Sequence, residues 1–410
     1  MAITTGKKPP ILAFPYPAQG HVVPLIKLSR LITTHRIKVT FVTTEHICEK
    51  LLSSMLDHDG LPPQDDRCNA FKVFESLKNT AGGYLTDLIE KINESNSDEK
   101  ISCVIADVTI GWVLENVEKL GLEGVAFAPV SAATLAMTLH ISKLIEEGRI
   151  DENDLNMQKI FFECSLINQK AAYRAKWLLC NTFYKLESSA CDLIPNLLPG
   201  KLQFCLCRED TTCLSWLDGQ LASSAIYVAF GSYAVFSQHQ LDERALGLEL
   251  SGQPFLWVVR PDLANRSWVE FLDGFLERVG STRIGKIVKW APQEKVLCHR
   301  SIGCFLSHCG WNLTVEGLSK GVPFLCWPYC VDQLHNQKYI CDKWRIGLRI
   351  DPDGNGIRTR IELKKKIEML FHDDSLRVNA LRFKKMAMES VDQGGSPRKN
   401  FEKFIDHLKE

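Results

Sequence analysis

Short apolar runs alternate with helical patterns along most of this chain. Isolated runs of this kind are typical of strands buried on both faces, as in parallel sheets. The expected strands are Ile11–Phe14, Lys38–Val42, Ser102–Ala106, Gly124–Phe127, Trp177–Cys180, Ile226–Phe230, Phe255–Val259, Lys286–Lys289, Gly303–Leu306, Pro323–Cys326 and Ile346–Ile350. Helical patterns such as Val23–Leu31 and Gly111–Leu120 lie between them. The pattern predicts an α/β protein with two doubly wound domains.

The boundary between the domains is predicted from a change in this pattern. The segment Asn196–Cys213 contains Pro and Gly but few periodic apolar residues, which is typical of a linker. A length of 410 residues also fits two domains. We place the first domain at residues 1–200, the linker at 201–215, the second domain at 216–390 and a C-terminal helix at 391–410. We expect that helix to pack back on the first domain.

Composition and charge argue against several kinds of partner. The chain has 49 basic and 49 acidic side chains, so it shows no net charge that would favour nucleic acid. No apolar run approaches the ~20 residues of a membrane-spanning helix, and Ile11–Phe14 is too short for a signal sequence. The 15 cysteines are scattered and are interpreted as reduced thiols. We expect a cytoplasmic monomer without stable membrane insertion.

One segment matches a calcium-binding motif in an unsuitable context. Asp351–Glu362 fits the loop pattern of an EF-hand. An EF-hand needs a helix on both sides, whereas Ile346–Ile350 has the pattern of a strand. A turn followed by a helix, with Thr359 and Glu362 as its capping box, fits the sequence better.

Other segments carry residue types that bind phosphate or metal ions in other proteins. Gly280–Lys286 resembles a P-loop, but Ile287 stands where a magnesium-binding Ser or Thr is needed. The cysteines and histidines between Cys298 and Cys309 lack the paired spacing of a structural zinc site. Two Asp-x-Asp pairs, at 57–59 and 351–353, lie in Gly-containing loops. No metal is expected at any of these places.

The stretch HCGWNLTVEG, residues 308–317, follows an expected strand and begins a short helix that runs until Gly321. A helix N-terminus offers backbone N–H groups and the positive end of its dipole, which favour an anion such as phosphate. Asn312 is the expected N-cap, His308 adds a donor, and Glu316 can accept hydrogen bonds from ribose hydroxyls. The alternative is a purely structural helix start with a buried Trp.

Neighbouring loops supply the other parts of a nucleotide-sugar site, since ligands of open α/β sheets bind beyond the carboxyl ends of strands. Trp290 and Gln293 follow one expected strand, and an indole there can stack on a nucleobase. Ser232 follows another strand. Asp332 and Gln333 offer a carboxylate and an amide to sugar hydroxyls. Base, ribose, diphosphate and hexose therefore each have a candidate partner.

These residues are similar to a known signature. The run from Trp290 to Gln333 contains WAPQ, HCGWN, a later Glu and a final DQ, at the spacing of the C-terminal signature of plant family 1 UDP-glycosyltransferases. The resemblance extends through nearly the whole chain and includes the segments YVAFGS, PFLWVVRPD and FPYPAQGHVVPL. These sequences are most similar to the 83A subfamily. The resemblance implies a GT-B fold, in which two Rossmann-like domains face each other across a cleft. It also implies that the first domain binds the acceptor and the second the UDP-sugar.

The resemblance assigns roles to the donor-site residues. It gives uracil to Trp290 and Gln293, ribose to Gln293 and Glu316, the diphosphate to His308, Asn312 and Ser232, and the sugar to Trp311, Asp332 and Gln333. Ala291 belongs to the same donor-binding set. A final Gln in the signature goes with UDP-glucose in much of the family. The UDP-sugar is a co-substrate, so neither a cofactor nor a metal is expected.

One position of the signature departs from the family. The family usually has Ser where this chain has Leu313, and that Ser donates to a phosphate. A hydrogen bond to a charged group contributes ~1.5–3 kcal/mol, so affinity for the donor is expected to fall by about tenfold or more. Donor binding would be restored if Thr314 took over the lost contact.

A second constellation lies near the start of the chain. His21 follows the loop FPYPAQG beyond the first expected strand, and Asp107 follows Ser102–Ala106. A buried carboxylate can orient an imidazole that removes a proton from an acceptor hydroxyl. The sequences GHV and AD at these two places also match the family. The resemblance therefore implies inverting transfer of glucose from UDP-glucose to a hydroxyl or carboxyl of a small plant metabolite, with His21 as general base assisted by Asp107.

Two other classes of function stay open from the sequence. A catalytically impaired homologue would bind the UDP-sugar but have an altered acceptor pocket, since the segment 51–101 and the stretch after Asp151 are shorter than in typical members. An unrelated two-domain α/β enzyme such as a dehydrogenase would need a G-x-G-x-x-G sequence after a strand, and the chain has none.

Overall fold

The computed structural model describes residues 10–43, 70–95, 100–149, 158–194, 197–199, 212–231, 234–260, 271, 274–391 and 396–409. These residues divide into two compact units. The first contains the described residues up to Pro199 and those from Ser390 onward, and the second contains the described residues from Thr212 to Glu389. None of the helices among the described residues is long and apolar enough to cross a membrane.

The first unit is built on a six-stranded parallel sheet. Its strands are β1 (Ile11–Phe14), β2 (Val39–Phe41), β3 (Cys103–Asp107), β4 (Glu123–Ala128), β5 (Trp177–Cys180) and β6 (Leu197–Pro199). Its helices are α1 (Gln19–Thr33), α2 (Ala70–Ser95), α3 (Trp112–Lys119), α4 (Ala132–Leu139), α5 (Ile141–Glu146), α6 (Gln158–Arg174) and α7 (Ser188–Cys191). The strand order is β2-β1-β3-β4-β5-β6, so the sheet grows in opposite directions from the neighbours β1 and β3. Such a switch point is where open α/β sheets bind ligands.

The second unit repeats this plan. Its strands are β7 (Ala225–Ala229), β8 (Phe255–Val258), β9 (Gly285–Val288), β10 (Ile302–Ser307), β11 (Phe324–Cys326) and β12 (Gly347–Arg349). Its helices are α8 (Thr212–Asp218), α9 (Gln238–Ser251), α10 (Phe275–Ser281), α11 (Gln293–Cys298), α12 (Trp311–Lys320), α13 (Gln333–Lys338), α14 (Arg360–His372) and α15 (Asp374–Val391). The parallel strands run in the order β12-β11-β10-β7-β8-β9, so the switch point lies between β7 and β10.

The final helix, α16 (Ser396–His407), belongs to the first unit although it follows the second along the chain. Phe404, Ile405 and Leu408 are buried in the core that also contains β1 and β3. The Phe404 ring lies edge-on to that of Trp177, with centroids 5.6 Å apart. The apolar side of the last helix therefore completes the core of the first unit.

The strands agree with the sequence pattern to within one or two residues, except at β6. This strand lies inside Asn196–Cys213, the segment interpreted as a linker, so that interpretation was wrong for Leu197–Pro199. Proline is tolerated there because β6 is the edge strand of its sheet, where its missing N–H breaks no ladder.

The calcium-like segment forms the predicted turn and capped helix. Oδ1 of Asp353 accepts hydrogen bonds from the backbone N–H groups of Asn355 and Ile357, both at 2.9 Å. Thr359 is the N-cap of α14, and its hydroxyl accepts from the N–H of Glu362. The P-loop-like residues form the end of α10 and the start of β9, which is not the strand–loop–helix order of a P-loop.

Candidate active site

His21 and Asp107 lie side by side at the switch point of the first sheet. Asp107 is the last residue of β3 and is fully buried, whereas the His21 side chain, near the start of α1, is 25% exposed. Nδ1 of His21 lies 2.8 Å from Oδ2 of Asp107, and Oδ1 accepts from the N–H of Thr109 at 2.9 Å. A carboxylate can only accept, so Nδ1 carries the proton and Nε2 holds the lone pair of the neutral ring.

An aromatic ring also orients this histidine. The ring of Tyr16 packs edge-on against the His21 imidazole, with centroids 5.2 Å apart. Contacts on two sides limit the rotation of the imidazole. The pair therefore has the arrangement of a general base with a carboxylate partner.

His308 lies at the switch point of the second sheet, directly after β10. Its ring is enclosed by Gly231 and Gly310, since a Cβ at these positions would lie 2.8 Å from Cε1 and 2.6 Å from Nε2 of the ring. Gly231 also has a φ of 64°, which favours glycine. Two glycines thus create the space for the ring.

His308 is only 7% exposed. Burial, and secondly the charge of Arg260, lower its pKa to about 4, so the ring is neutral at physiological pH. Its Nδ1 is buried and has no hydrogen-bond partner among the described residues. A neutral imidazole with an unsatisfied ring nitrogen suits a ligand that completes its hydrogen bonding.

Helix α12 starts earlier than the sequence suggested. Gly310, not Asn312, is its N-cap, so the predicted N-cap was wrong and Asn312 is the second helical residue. The reason is local, because Cys309 adopts a left-handed φ of 65° and turns the chain toward the helix one residue before Gly310. The predicted end is confirmed, since Gly321 caps the C-terminus with a φ of 74°.

Leu313 is the third residue of α12 and offers only its backbone to an anion at the helix N-terminus. The neighbouring Thr314 is buried, and its hydroxyl donates to the carbonyl oxygen of Gly310 at 3.0 Å. Because its one proton is already engaged, Thr314 does not replace the hydroxyl that Leu313 lacks.

Helix α11, which follows β9 along the chain, contacts α12 through side chains. Nε2 of Gln293 donates to Oε2 of Glu316 at 2.5 Å, which joins the residues proposed for uracil and ribose. The hydroxyl of Tyr227 donates to Oε1 of Gln293 at 3.4 Å, a contact that the sequence analysis missed. Trp290 is half-buried and Ala291 is buried beside it. Tyr227, Gln293 and Glu316 therefore form one hydrogen-bonded group.

The residues proposed for the sugar differ in what they can offer. Trp311 is 4% exposed and packs near Trp344, with ring centroids 6.4 Å apart, so a contact with sugar would come from its backbone. Oε1 of Gln333 accepts from the N–H groups of Tyr329 and Cys330 at 2.8 and 3.0 Å, and its Nε2 donates to Sγ of Cys330 at 4.0 Å. Asp332 precedes α13 as its N-cap residue. Ser232 lies outside the described residues.

A buried arginine contacts aromatic residues that follow two of these strands. The guanidinium carbon of Arg244, on α9, lies 3.8, 4.1 and 4.4 Å from the ring centroids of Phe230, Phe236 and Trp327. Phe230 follows β7 and Trp327 follows β11, so the cation–π contacts tie α9 to the carboxyl ends of both strands. Nothing in the sequence pattern indicated this cluster.

A family model described as UDP-glucoronosyl and UDP-glucosyl transferase matches residues 166–392, more than half of the chain. The chain belongs to this family. UDP-glycosyltransferase 83A1 of Arabidopsis thaliana is 35% identical to it over 463 residues, covering 98% of this chain and 97% of the relative. A 7-deoxyloganetin glucosyltransferase from Catharanthus roseus is 30% identical, covering 98% and 97%.

Solved structures show the same architecture. Os79 from O. sativa, in complex with UDP, matches with a TM-score of 0.82 at 25% identity, covering 97% of this chain and 100% of Os79. The predicted GT-B fold and the resemblance to the 83A subfamily are therefore confirmed. The chain is a UDP-dependent glycosyltransferase that acts on small molecules. The match to 83A1 extends over 463 residues, whereas this chain has 410, so gaps fall in this chain when the two are matched.

Proposed function

We propose that this enzyme transfers glucose from UDP-glucose to a hydroxyl or carboxyl group of a small plant metabolite, with inversion at the anomeric carbon. The observation that carries the proposal is the 2.8 Å contact between His21 and buried Asp107 at a sheet switch point. Nε2 of His21 takes the acceptor proton, and Asp107 stabilises the imidazolium that forms.

One displacement accounts for all atoms of the reaction. The acceptor oxygen forms a bond to the anomeric carbon while the bond from that carbon to the diphosphate oxygen breaks. The acceptor proton moves to His21, and UDP leaves with the bonding electron pair. An α-linked donor therefore gives a β-glucoside.

The second unit supports the departure of UDP. The N–H groups at the start of α12 and the dipole of this ten-residue helix favour a diphosphate. His308 lies just before that helix and has an unsatisfied buried nitrogen that a phosphate oxygen can satisfy. Glu316 and Gln293 supply an acceptor and an amide for ribose and uracil. We expect no requirement for a metal, and chelation with EDTA tests this.

Glucose as the donor sugar rests on Gln333. Its carbonyl oxygen accepts from two backbone donors and its NH₂ group makes one long contact with Sγ of Cys330, so the second amide proton is the one that a sugar hydroxyl would accept. The glucosyltransferase named among the relatives and the fluoro-glucose complex of Phytolacca americana UGT2 support the same sugar.

The 11 cysteines that the structure describes are all free thiols, which supports action in the cytosol.

A transfer assay tests the proposal. Wild-type protein, His21→Ala and the control His140→Ala, a histidine of the same unit, are incubated with UDP-glucose and phenolic, alcoholic and carboxylic acceptors. We expect β-glucosides from wild type and from the control, and turnover lower by about 10²–10⁴-fold in His21→Ala. UDP affinity should be unchanged in both variants.

The outcomes separate the competing functions. Wild-type turnover by His21→Ala would refute the general-base role. UDP-glucose binding without product from any acceptor would instead favour a non-catalytic binding protein. A product with the α configuration would exclude single displacement.

A further inference from the structure

Asn336 joins two loops that carry proposed donor contacts. It lies on α13, is 1% exposed, and was not singled out by its sequence. Its Nδ2 donates to the carbonyl oxygen of Cys309 at 2.9 Å and to Oδ2 of Asp332 at 2.8 Å. Cys309 directly follows His308, so a single amide connects the loop after β10 with the loop before α13.

The orientation of this amide follows from its partners. A carbonyl oxygen and a carboxylate can only accept hydrogen bonds, so the NH₂ group must face both of them. With the amide reversed, Oδ1 would oppose two oxygen atoms. Oδ1 is instead buried without a hydrogen-bond partner among the described residues, which shows that the two donated bonds determine the placement of the side chain.

Both loops contain a strained residue beside a proposed ligand contact. Cys309 and Val331 have φ values of 65° and 56°, in the left-handed region that non-glycine residues rarely adopt. Cys309 follows His308, and Val331 precedes Asp332. The bonds from Asn336 therefore hold the Cys309 peptide and the Asp332 carboxylate where the backbone alone would not favour them.

We propose that Asn336 is a positioning residue for the donor sugar, which fixes the Asp332 carboxylate against the backbone of the loop that follows His308. The inference rests on the proposed function, because it takes Asp332 as a sugar contact. Asn336 is four residues after Asp332, which places the two side chains on one face of the helix. It acts on the sugar through Asp332 and touches no reacting atom.

Sugar recognition distinguishes this role from a general structural role. Loss of a structural residue would weaken UDP-glucose and UDP alike, because both need the second unit intact. Loss of Asp332 positioning should weaken UDP-glucose more than UDP, since UDP lacks the glucosyl group that Asp332 is proposed to contact.

The experiment measures Kd for UDP-glucose and for UDP by calorimetry. The variants are Asn336→Leu, which has similar volume but no donor, and the control Gln337→Leu, an amide on the same helix that is half-buried. We expect Asn336→Leu to weaken UDP-glucose at least about tenfold more than UDP, as befits a lost contact to a charged group. Gln337→Leu should leave the ratio of the two Kd values unchanged. Equal weakening of both ligands in Asn336→Leu would overturn the inference.

A double-mutant cycle tests whether the effect passes through Asp332. In an Asp332→Ala background, Asn336→Leu should cause no further change in the ratio of Kd values. A further change of tenfold would overturn the inference. If Asn336→Leu does not fold, as judged by circular dichroism and Tm, Asn336→Ser is scored by the same ratio. It keeps one donor, so we expect a smaller loss, and an unchanged ratio would overturn the role. Wild-type protein that binds neither ligand would instead refute the proposed function.

Discussion

At the residue scale, His308 shows how burial determines the charge of an imidazole that we propose contacts the diphosphate. A protonated imidazole would attract a diphosphate more strongly, but the enclosed ring is neutral because burial lowers its pKa to about 4. In the proposed site, the ring therefore offers a directed hydrogen bond rather than a charge. Its enclosure also makes the stability of the folded chain depend on pH.

That dependence has a definite sign. The pKa of histidine is about 6.5 in an unfolded chain and about 4 for folded His308, so the unfolded state binds more protons between these values. The free energy of unfolding should fall as pH falls from about 6.5 to about 4, by on the order of 3 kcal/mol. Denaturant unfolding of wild type and His308→Gln from pH 7.5 to 4 measures it. Carboxylates titrate equally in both proteins, so parallel curves would contradict the prediction.

Leu313 is the position of the C-terminal signature at which the resemblance predicts a departure, since Ser is expected there. Leu313→Ser should restore a hydroxyl at the third position of α12 and raise UDP affinity by about tenfold or more. Leu313→Ala is the control, because it removes the same bulk without adding a donor. Calorimetric titration with UDP should show tighter binding for the Ser variant alone. Equal affinities of wild type and Leu313→Ser would show that the hydroxyl is not needed.

At the scale of elements, the sequence predicted strands and helices well but contained less information about the loops and helix caps between them. Apolar runs located β1 and β10 because buried parallel strands need continuous apolar side chains. Runs of three residues such as β6 carry too little pattern, so this strand was missed. Asn312 was predicted as the N-cap from side-chain preference alone. The left-handed Cys309, which places the cap at Gly310, has no signature in its residue type.

The candidate site shows the same limit. His21 and Asp107 were predicted together because both follow strands and because the GHV and AD sequences match the family; β1 and β3 are indeed neighbours in the sheet. Asn336 and Tyr227 were not predicted, since their importance arises from contacts across the fold. Only the four-residue spacing from Asp332 to Asn336 could have indicated one of them.

The turn at Gly231, which follows β7, offers a test at this scale. In Gly231→Ala the new Cβ would meet the His308 ring at 2.8 Å, and the φ of 64° adds backbone strain. Gly252 has a φ of 65° and open space around its Cα, so Gly252→Ala matches the strain without the collision. We expect both variants to lose about 1 kcal/mol or more of stability. Only Gly231→Ala should weaken UDP binding, by about tenfold or more.

Titration with UDP and thermal unfolding measure the two effects separately. Equal UDP affinity of the Gly231→Ala and Gly252→Ala proteins would mean that the placement of His308 does not matter for the diphosphate. Gly310→Ala has an ordinary φ of −59° and also meets the ring, so it should weaken UDP without the strain.

At the scale of the whole molecule, the last helix of the chain completes the core of the first unit. Strands near the N-terminus and the final helix share one apolar cluster, while the second unit is formed by the residues that lie between them in sequence. The first unit therefore requires both ends of the chain. A change in the final helix should consequently affect the unit that carries His21 and Asp107, although neither residue lies near it in sequence.

Phe404→Ala tests this dependence. Phe404 is fully buried among residues of the first unit, and large-to-small changes of this kind cost about 3–5 kcal/mol. We expect hydrogen exchange of β1 and β3 to accelerate while UDP affinity, which we propose depends on the second unit, stays near wild type. Lys403→Ala, an exposed neighbour on the same helix, should change neither. Faster exchange confined to β7 and β10 would show that the last helix stabilises the other unit instead.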